Sequence, residues 1–428
     1  MKTPPTRISF APLILACAVA VAVTTTTAHA QIPCGGYEVT AIIQAPECPP
    51  FGFPPTIGTA ISEPIDGGLP NVVGYYQSCT IGPPRAFLWI GNEDRFITVP
   101  MPPGTLASGA FDIAGTQIVG TFDLSGDGLS GLGFLYDFQT DEFTNLGTLP
   151  GGTRSEALAV NTAGQIAGYW SNKVVGPWQA FIWEDGVMND LGPLIGGAGN
   201  RALDINEKGA ITGWWRREEG GERIAFIWQD DETTDLGPVP GGFSGDGRAI
   251  NKALQVTMQG KIRTDDGIVV RAFLWDDAEF TDLGTLPVTT FARPTGMSDQ
   301  GAVVGYCHNA GLTNQTAFVW QDGVMTALND LVPPEPGLDI KIASAINSAG
   351  QIIAYGEDSK SDVVSSLLTP IKPPLGDLDG DCTVGVLDLL FLLTSWGPCD
   401  SCDDCRADLN GDCVVGVVDL LILLGNWG

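Results

Sequence analysis

The sequence predicts a mainly-β protein: a seven-bladed β-propeller closed by an N-terminal strand, followed by a small all-α domain. Three observations predict it. A set of short phrases recurs with a period of about 46 residues. Each period holds four short apolar stretches separated by turn residues. Beyond residue 375 the rhythm stops and two copies of an Asp-rich pattern replace it.

The aromatic phrase is the plainest. It reads Ala86-Phe87-Leu88-Trp89, Gly133-Phe134-Leu135-Tyr136, Ala180-Phe181-Ile182-Trp183, Ala225-Phe226-Ile227-Trp228, Ala272-Phe273-Leu274-Trp275 and Ala317-Phe318-Val319-Trp320, at intervals of 47, 47, 45, 47 and 45 residues. Ser365 to Thr369 is a degenerate seventh copy. A second phrase precedes each one, from Val72-Val73-Gly74 to Ile352-Ile353-Ala354, and it occurs seven times. A third, such as Asp190-Leu191-Gly192, follows the aromatic phrase. A fourth has the form Ala-x-x-x-Asn, as in Ala157 to Asn161 and Ala202 to Asn206. Asp185-Gly186 and Asp322-Gly323 are hairpin turns between the third and fourth strands. A single four-stranded blade cannot cover both its faces, whereas a ring of blades can, with the recurring Phe and Trp between them. Tyr37 to Ile43 has the character of a fourth strand, and Ala345 to Thr369 supplies only earlier ones. Pairing the two completes blade seven and removes the open edges.

These phrases resemble the extracellular HAF-repeat family over about 37–369. The resemblance implies export and little chemistry. The chain departs from the pattern at Met258, at Ala354 and across the first unit, where irregular blades are expected.

Pro370, Pro373 and Pro374 mark a stiff linker over 370–375. The domain that follows, 376–428, carries two loops 31 residues apart. Asp377, Asp379, Asp381, Thr383 and Asp388 stand at positions 1, 3, 5, 7 and 12 of the first. Asp408, Asn410, Asp412, Val414 and Asp419 stand at the same positions of the second. Side-chain oxygens at 1, 3, 5 and 12, with the backbone carbonyl at 7, can wrap a hard cation of calcium's size, so two Ca2+ ions are expected. Each loop runs into an apolar helix. Asp123-Leu124-Ser125-Gly126-Asp127 lacks the twelfth acid and reads as a plain loop. The paired loop-helix pattern resembles a type I dockerin. That resemblance implies calcium-dependent docking to a cohesin-like extracellular protein partner, commonly in a polysaccharide-handling assembly. Positions 10 and 11, often polar in dockerins, are Val386-Leu387 and Val417-Val418 here, and these four are the candidate partner contacts. Helices apolar on all sides expect further burial, against a partner or the propeller.

A net charge of −29 argues against nucleic acid as a partner. Lys2 and Arg7, an apolar run over 10–23 and Ala28-His29-Ala30 predict a cleaved signal over 1–30. The mature protein (31–369 propeller, then linker and tail) is expected to be secreted, extracellular or at the cell surface, without a transmembrane segment. Cys17 would leave with the signal, and the nine remaining cysteines imply disulfides and one odd thiol. Cys399, Cys402 and Cys405 suit disulfides better than zinc, and Cys34 and Cys48 are a candidate pair.

Of two histidines only His308 lies outside the signal, and no phosphate-binding loop or zinc-protease motif occurs. The reading is a non-catalytic binding or display protein. A polysaccharide-active hydrolase or lyase using propeller carboxylates is the alternative, and a purely structural surface protein the third. For the propeller, the junctions of second and third strands are the candidate ligand sites, with Tyr76, Trp170, Trp215, Arg216, Tyr306 and His308 placed to meet carbohydrate.

Overall fold

Within each period the apolar stretches pair into antiparallel strands. The computed structural model describes residues 36–45, 55–64, 68–77, 83–125, 131–172, 177–192, 197–265, 267–333, 337–399, 401–402 and 405–428. The signal segment and the Cys34–Cys48 pair lie outside them. Seven four-stranded sheets follow one another, at 56–98, 107–147, 154–190, 199–237, 242–282, 291–327 and 339–370. These are blades one to seven. The seventh takes its fourth strand from Tyr37–Ile43, in the order Tyr37–Ile43, Val363–Pro370, Ile352–Glu357, Asp339–Ile346. Tyr37 stands opposite Pro370 and Ile43 opposite Ser365, so the chain's two ends close the ring. Strands one and two, and three and four, are joined on one face, called lower here. Strands two and three, and successive blades, are joined on the upper face.

Each repeated phrase has a structural reason. Phe87, Phe134, Phe181, Phe226 and Phe318 are fully buried in the clusters between blades. Asp190, Asp235 and Asp282 accept the backbone N–H two residues on, at 2.9, 2.7 and 2.9 Å, which turns the chain at the following glycine. Asp185-Gly186 and Asp322-Gly323 all have positive φ, as a tight hairpin turn requires. The Asn of the fourth phrase ties blade to blade. Asn161 donates to the carbonyl of Asn206, Asn206 to that of Asn251, and Asn347 to that of Ser62, at 3.1, 2.8 and 3.0 Å.

The glycine of the second phrase marks a close approach. A Cβ at Gly74, Gly120, Gly168, Gly213 or Gly305 would lie about 2 Å from a carbonyl oxygen of the neighbouring first strand: 2.0, 2.0, 2.0, 1.9 and 2.1 Å. The approach occurs beside a β-bulge that every blade carries at the equivalent place in its first strand. Blades five and seven have Met258 and Ala354 instead of the glycine. They are also the two whose first strand carries a second bulge against the second strand, between Gly242 and Ser244 and between Ile340 and Ile342. Blade one, although its phrases are degenerate, forms a complete sheet.

The bulged residues Thr59, Phe111, Leu158, Leu203, Arg248, Thr295 and Ser344 line a central channel of about 360 Å3. Asp112 and Asp204 also line it. Their Oδ2 atoms accept the N–H of Val160 and Ile250 in the next blade, at 2.8 and 2.7 Å. Burial pushes the Asp112 carboxyl up to about 7 and that of Asp204 up to about 6. Both folded values exceed the ordinary 3.8, so the folded state holds these protons more tightly than the unfolded chain. The charged forms therefore subtract stability, not at all below pH 4 and fully above pH 7. Asp112→Asn keeps an acceptor oxygen without the charge. It should raise stability at pH 8 by about 2 kcal/mol, allowing for water in the channel, and leave it unchanged at pH 4. Thermal melts of both proteins at the two pH values check this; an equal effect at both would refute it.

The tail departs from an all-α plan. Helices Val386–Thr394 and Val417–Gly425 follow the two loops. Between the halves, Gly397–Pro398 pairs with Val414–Val415, and disulfides join Cys399 to Cys405 and Cys402 to Cys413. Cys382 is also disulfide-bonded, and the free thiol among the described residues is Cys307, buried in blade six. The tail core is small: Leu378, Val384, Leu392, Ala407, Val415 and Leu423. Covalent closure supplements a core of that size.

Candidate functional site

In the first tail loop, ligand oxygens of Asp377, Asp379, Asp381 and Asp388 all lie within 4.8 Å of one another. A calcium shell of about 2.4 Å radius spans about 4.8 Å across, so the spacing fits such an ion. The loop is wound by its own carboxylates. Asp377 accepts the N–H of Gly380 and Cys382, at 2.8 and 3.0 Å, and Asp381 accepts the N–H and hydroxyl of Thr383, at 2.9 and 2.7 Å. Asp388, 1% exposed, serves the helix as well. Its Oδ2 accepts Gly385 N–H at 2.7 Å, and its Oδ1 accepts Leu378 and Asp379 N–H at 2.6 and 3.0 Å. Burial pushes this carboxyl up, but those backbone donors outweigh it and hold it below the usual range. Asp419 repeats the arrangement with Gly416, Leu409 and Asn410. Cys382 and Cys413, at loop position 6, have φ of +74° and +67°, the region that normally favours glycine.

The second loop differs. Asp408, Asp412 and Asp419 form no such cluster among the described residues, and the Asn410 amide donates to Asp412 Oδ2 at 2.8 Å. Val414 offers its carbonyl only.

The outward faces of both helices are apolar and uncovered. Val386, Leu387, Leu390 and Leu393 are 63, 61, 51 and 47% exposed; Val417, Val418, Leu421 and Leu424 are 62, 51, 63 and 47% exposed. Trp396 and Trp427 are nearly half exposed beside them. The candidate partner contacts thus belong to two matching patches, which the propeller leaves open.

The six candidate ligand residues of the propeller are not gathered into one site. His308 ends a strand instead of sitting in a loop. It is buried, stacked on Phe291 at 4.9 Å, and its ring nitrogens meet Arg293 Nε at 3.1 Å and the Asn309 carbonyl at 2.8 Å. Tyr306 stacks on it at 5.7 Å. Tyr76 packs edge-on against Phe96 and bonds Thr98. Trp170 lines a separate cavity of about 240 Å3 with Gln179 and Asp190. Trp215 is buried between blades. Arg216 joins a larger constellation directly, and His308 reaches it through Arg293, which shares the Gln259 oxygen with Arg248; its other partners are residues the sequence pattern did not single out.

That constellation lies on the upper face at blades three to five, where first strands begin and second strands end. The Arg201 guanidinium lies over Tyr169 at 4.1 Å, Trp178 at 4.4 Å and Trp214 at 5.5 Å. Arg223 and Arg216 lie over Trp214 at 4.4 and 4.9 Å, and Arg154 over Trp178 at 5.1 Å. Arg223 pairs with Asp246 at 2.6 Å, Arg248 reaches the same carboxylate at 3.7 Å, and Arg154 pairs with Glu156. A readable signal existed. The residue before the Ala-x-x-x-Asn position, or its equivalent, is charged in four successive blades, as Glu156, Arg201, Asp246 and Arg293. The aromatics that matter, Tyr169 and Trp214, directly follow the second-phrase glycine. The next residues, Trp170 and Trp215, point the other way.

No family model matches the chain, and no curated protein matches it. Solved structures match it at low identity. The β-propeller domain of the Trilobed protease from Pyrococcus furiosus is 11% identical, over 61% of this chain and 83% of that one, with a TM-score of 0.43. TolB from Acinetobacter baumannii is 10% identical over 70% and 63%, at 0.41. An oligogalacturonate lyase in complex with manganese is 10% identical over 70% and 86%, at 0.46.

Proposed function

We propose that this is a secreted, non-catalytic display protein that docks, with calcium bound, onto an extracellular protein partner of the cohesin kind through its dockerin-like tail. One observation carries the reading: four carboxylates converge at calcium spacing under a helix whose outer face is apolar and uncovered. Calcium holds each loop and so fixes the angle at which its helix starts. Two ions, one per loop, set the two patches for a partner to cover. A polysaccharide-handling assembly is the setting that the dockerin resemblance implies. The signal segment supports export.

Binding of the full chain to an immobilised cohesin-type domain tests the reading. Binding is expected in calcium and lost in chelator. The double variant Leu387→Glu, Val418→Glu should weaken it by about 100-fold or more, since two central apolar contacts at about 1.5–3 kcal/mol each are replaced by buried charge. Unchanged binding in chelator, or by the double variant, defeats the proposal. Turnover of a polysaccharide by the purified chain would favour the enzyme reading instead.

A further inference from the structure

We propose that the upper mouth of the propeller, at blades three to five, binds a carboxylate-bearing sugar through the open edge of Arg201. The chain as a whole is strongly acidic, yet Arg154, Arg201, Arg216, Arg223 and Arg248 are drawn together here. The two acids closest to them are already engaged. Glu156 holds Arg154 and interacts with the Tyr169 hydroxyl, and Asp246 holds Arg223 and Arg248. Glu222 acts on Arg216.

Arg201 is left over. Among the described residues it has no ion pair and no hydrogen bond, and its Nε is buried without a partner. Tyr169 and Trp178 pack against it as an edge-to-face pair, 5.0 Å apart, and Trp214 lies at 5.5 Å, so aromatic rings hold the guanidinium while no partner takes its donors. Burial works against its charge most strongly; Tyr169 and Glu156 offset part of that, and Arg223 and Arg154 add to it. A half-buried cation with unmet donors is costly, and packing alone does not require one. A planar two-oxygen acceptor matches a guanidinium edge, and the aromatic rings packed against Arg201 limit its orientation. A cavity of about 320 Å3, lined mostly by blade two and also by Asp123, Arg154 and Glu156, adjoins the cluster on its Arg154 side and gives room for sugar rings.

This site lies on the face opposite the linker and does not depend on the docking proposal. The test uses the full chain, in calcium and in chelator, with a short glucuronate oligomer as probe and glucose and inorganic phosphate as comparisons. Binding is read by calorimetry and by tryptophan fluorescence, which Trp178 and Trp214 should report. Glucuronate is expected to bind equally with and without calcium, and more tightly than phosphate; glucose should not bind. Arg201→Met should weaken glucuronate binding by about tenfold or more. Its thermal midpoint should hold or rise, because an unpaired buried charge is removed. Arg201→Lys, which keeps the charge without the fork, should fall between. The proposal is overturned if glucuronate fails to bind at millimolar concentration, if phosphate binds more tightly, or if Arg201→Met binds as the parent does. A variant that loses stability but binds unchanged would make Arg201 a packing residue.

Discussion

Replacing Gly213 with alanine is expected to cost about 3 kcal/mol or more and to lower the thermal midpoint by about 5 °C or more. The new Cβ would stand 1.9 Å from the carbonyl oxygen of Arg201, a backbone atom that cannot swing away. Relief requires the first strand of blade four to shift, and the pairing of Ala202 with Gly213 sits beside its bulge. The shift would carry Arg201 with it, so glucuronate binding should fall along with stability. Gly109→Ala is the control. Its nearest neighbour would be the Phe111 ring at 3.4 Å, an ordinary contact, and the change should stay within about 1 kcal/mol. Calorimetric scans of the two variants decide the matter; similar midpoints would mean the sheet has room that the geometry does not indicate.

Calcium should produce the other large effect. If each loop takes one ion, excess calcium should stabilise the tail by about 2.7 kcal/mol per site at a concentration 100 times the dissociation constant. Asp379→Ala and Asp388→Ala separate ligation from structure. Asp379 accepts one backbone N–H, from Asp381 at 3.1 Å, so its loss should abolish the calcium response of the first loop with little cost in chelator. Asp388 also closes the capping box of helix Val386–Thr394 and holds Leu378 and Asp379, so its loss should cost about 2–4 kcal/mol in chelator too. The first loop should fill before the second, where Asn410 replaces a carboxylate and its amide is bonded to Asp412. Isothermal titration of the parent and both variants reads the number of sites and their order. A tail melting identically in calcium and chelator would remove the ions from the account.

The architecture was legible because its causes are periodic. Phe181 and its counterparts recur since every blade must fill the same gap, and Gly168 and its counterparts recur since every first strand bulges at the same place. Even the departures were informative: Met258 and Ala354 fall in the two blades whose first strand carries a second bulge. The tail loops were legible from spacing alone, but not the pairing Cys402–Cys413, because connectivity depends on how the halves fold together. The upper-face cluster was the least legible. Trp215 and His308 look available in the sequence and are buried by neighbouring strands. Arg201 matters through Trp178, 23 positions away in the preceding blade, and no local pattern joins them.

The closing blade has a mechanical consequence. The tail leaves the ring at Pro370, the end of a strand with Tyr37–Ile43 on one side and Ile352–Glu357 on the other. Tension transmitted from an anchored tail would run along that strand's axis, across the direction of its hydrogen bonds, which would then resist together in shear and not open one after another. Flow dragging on the ring would load that closing seam in shear, and the upper mouth, on the face opposite the tether, would be left uncovered by it.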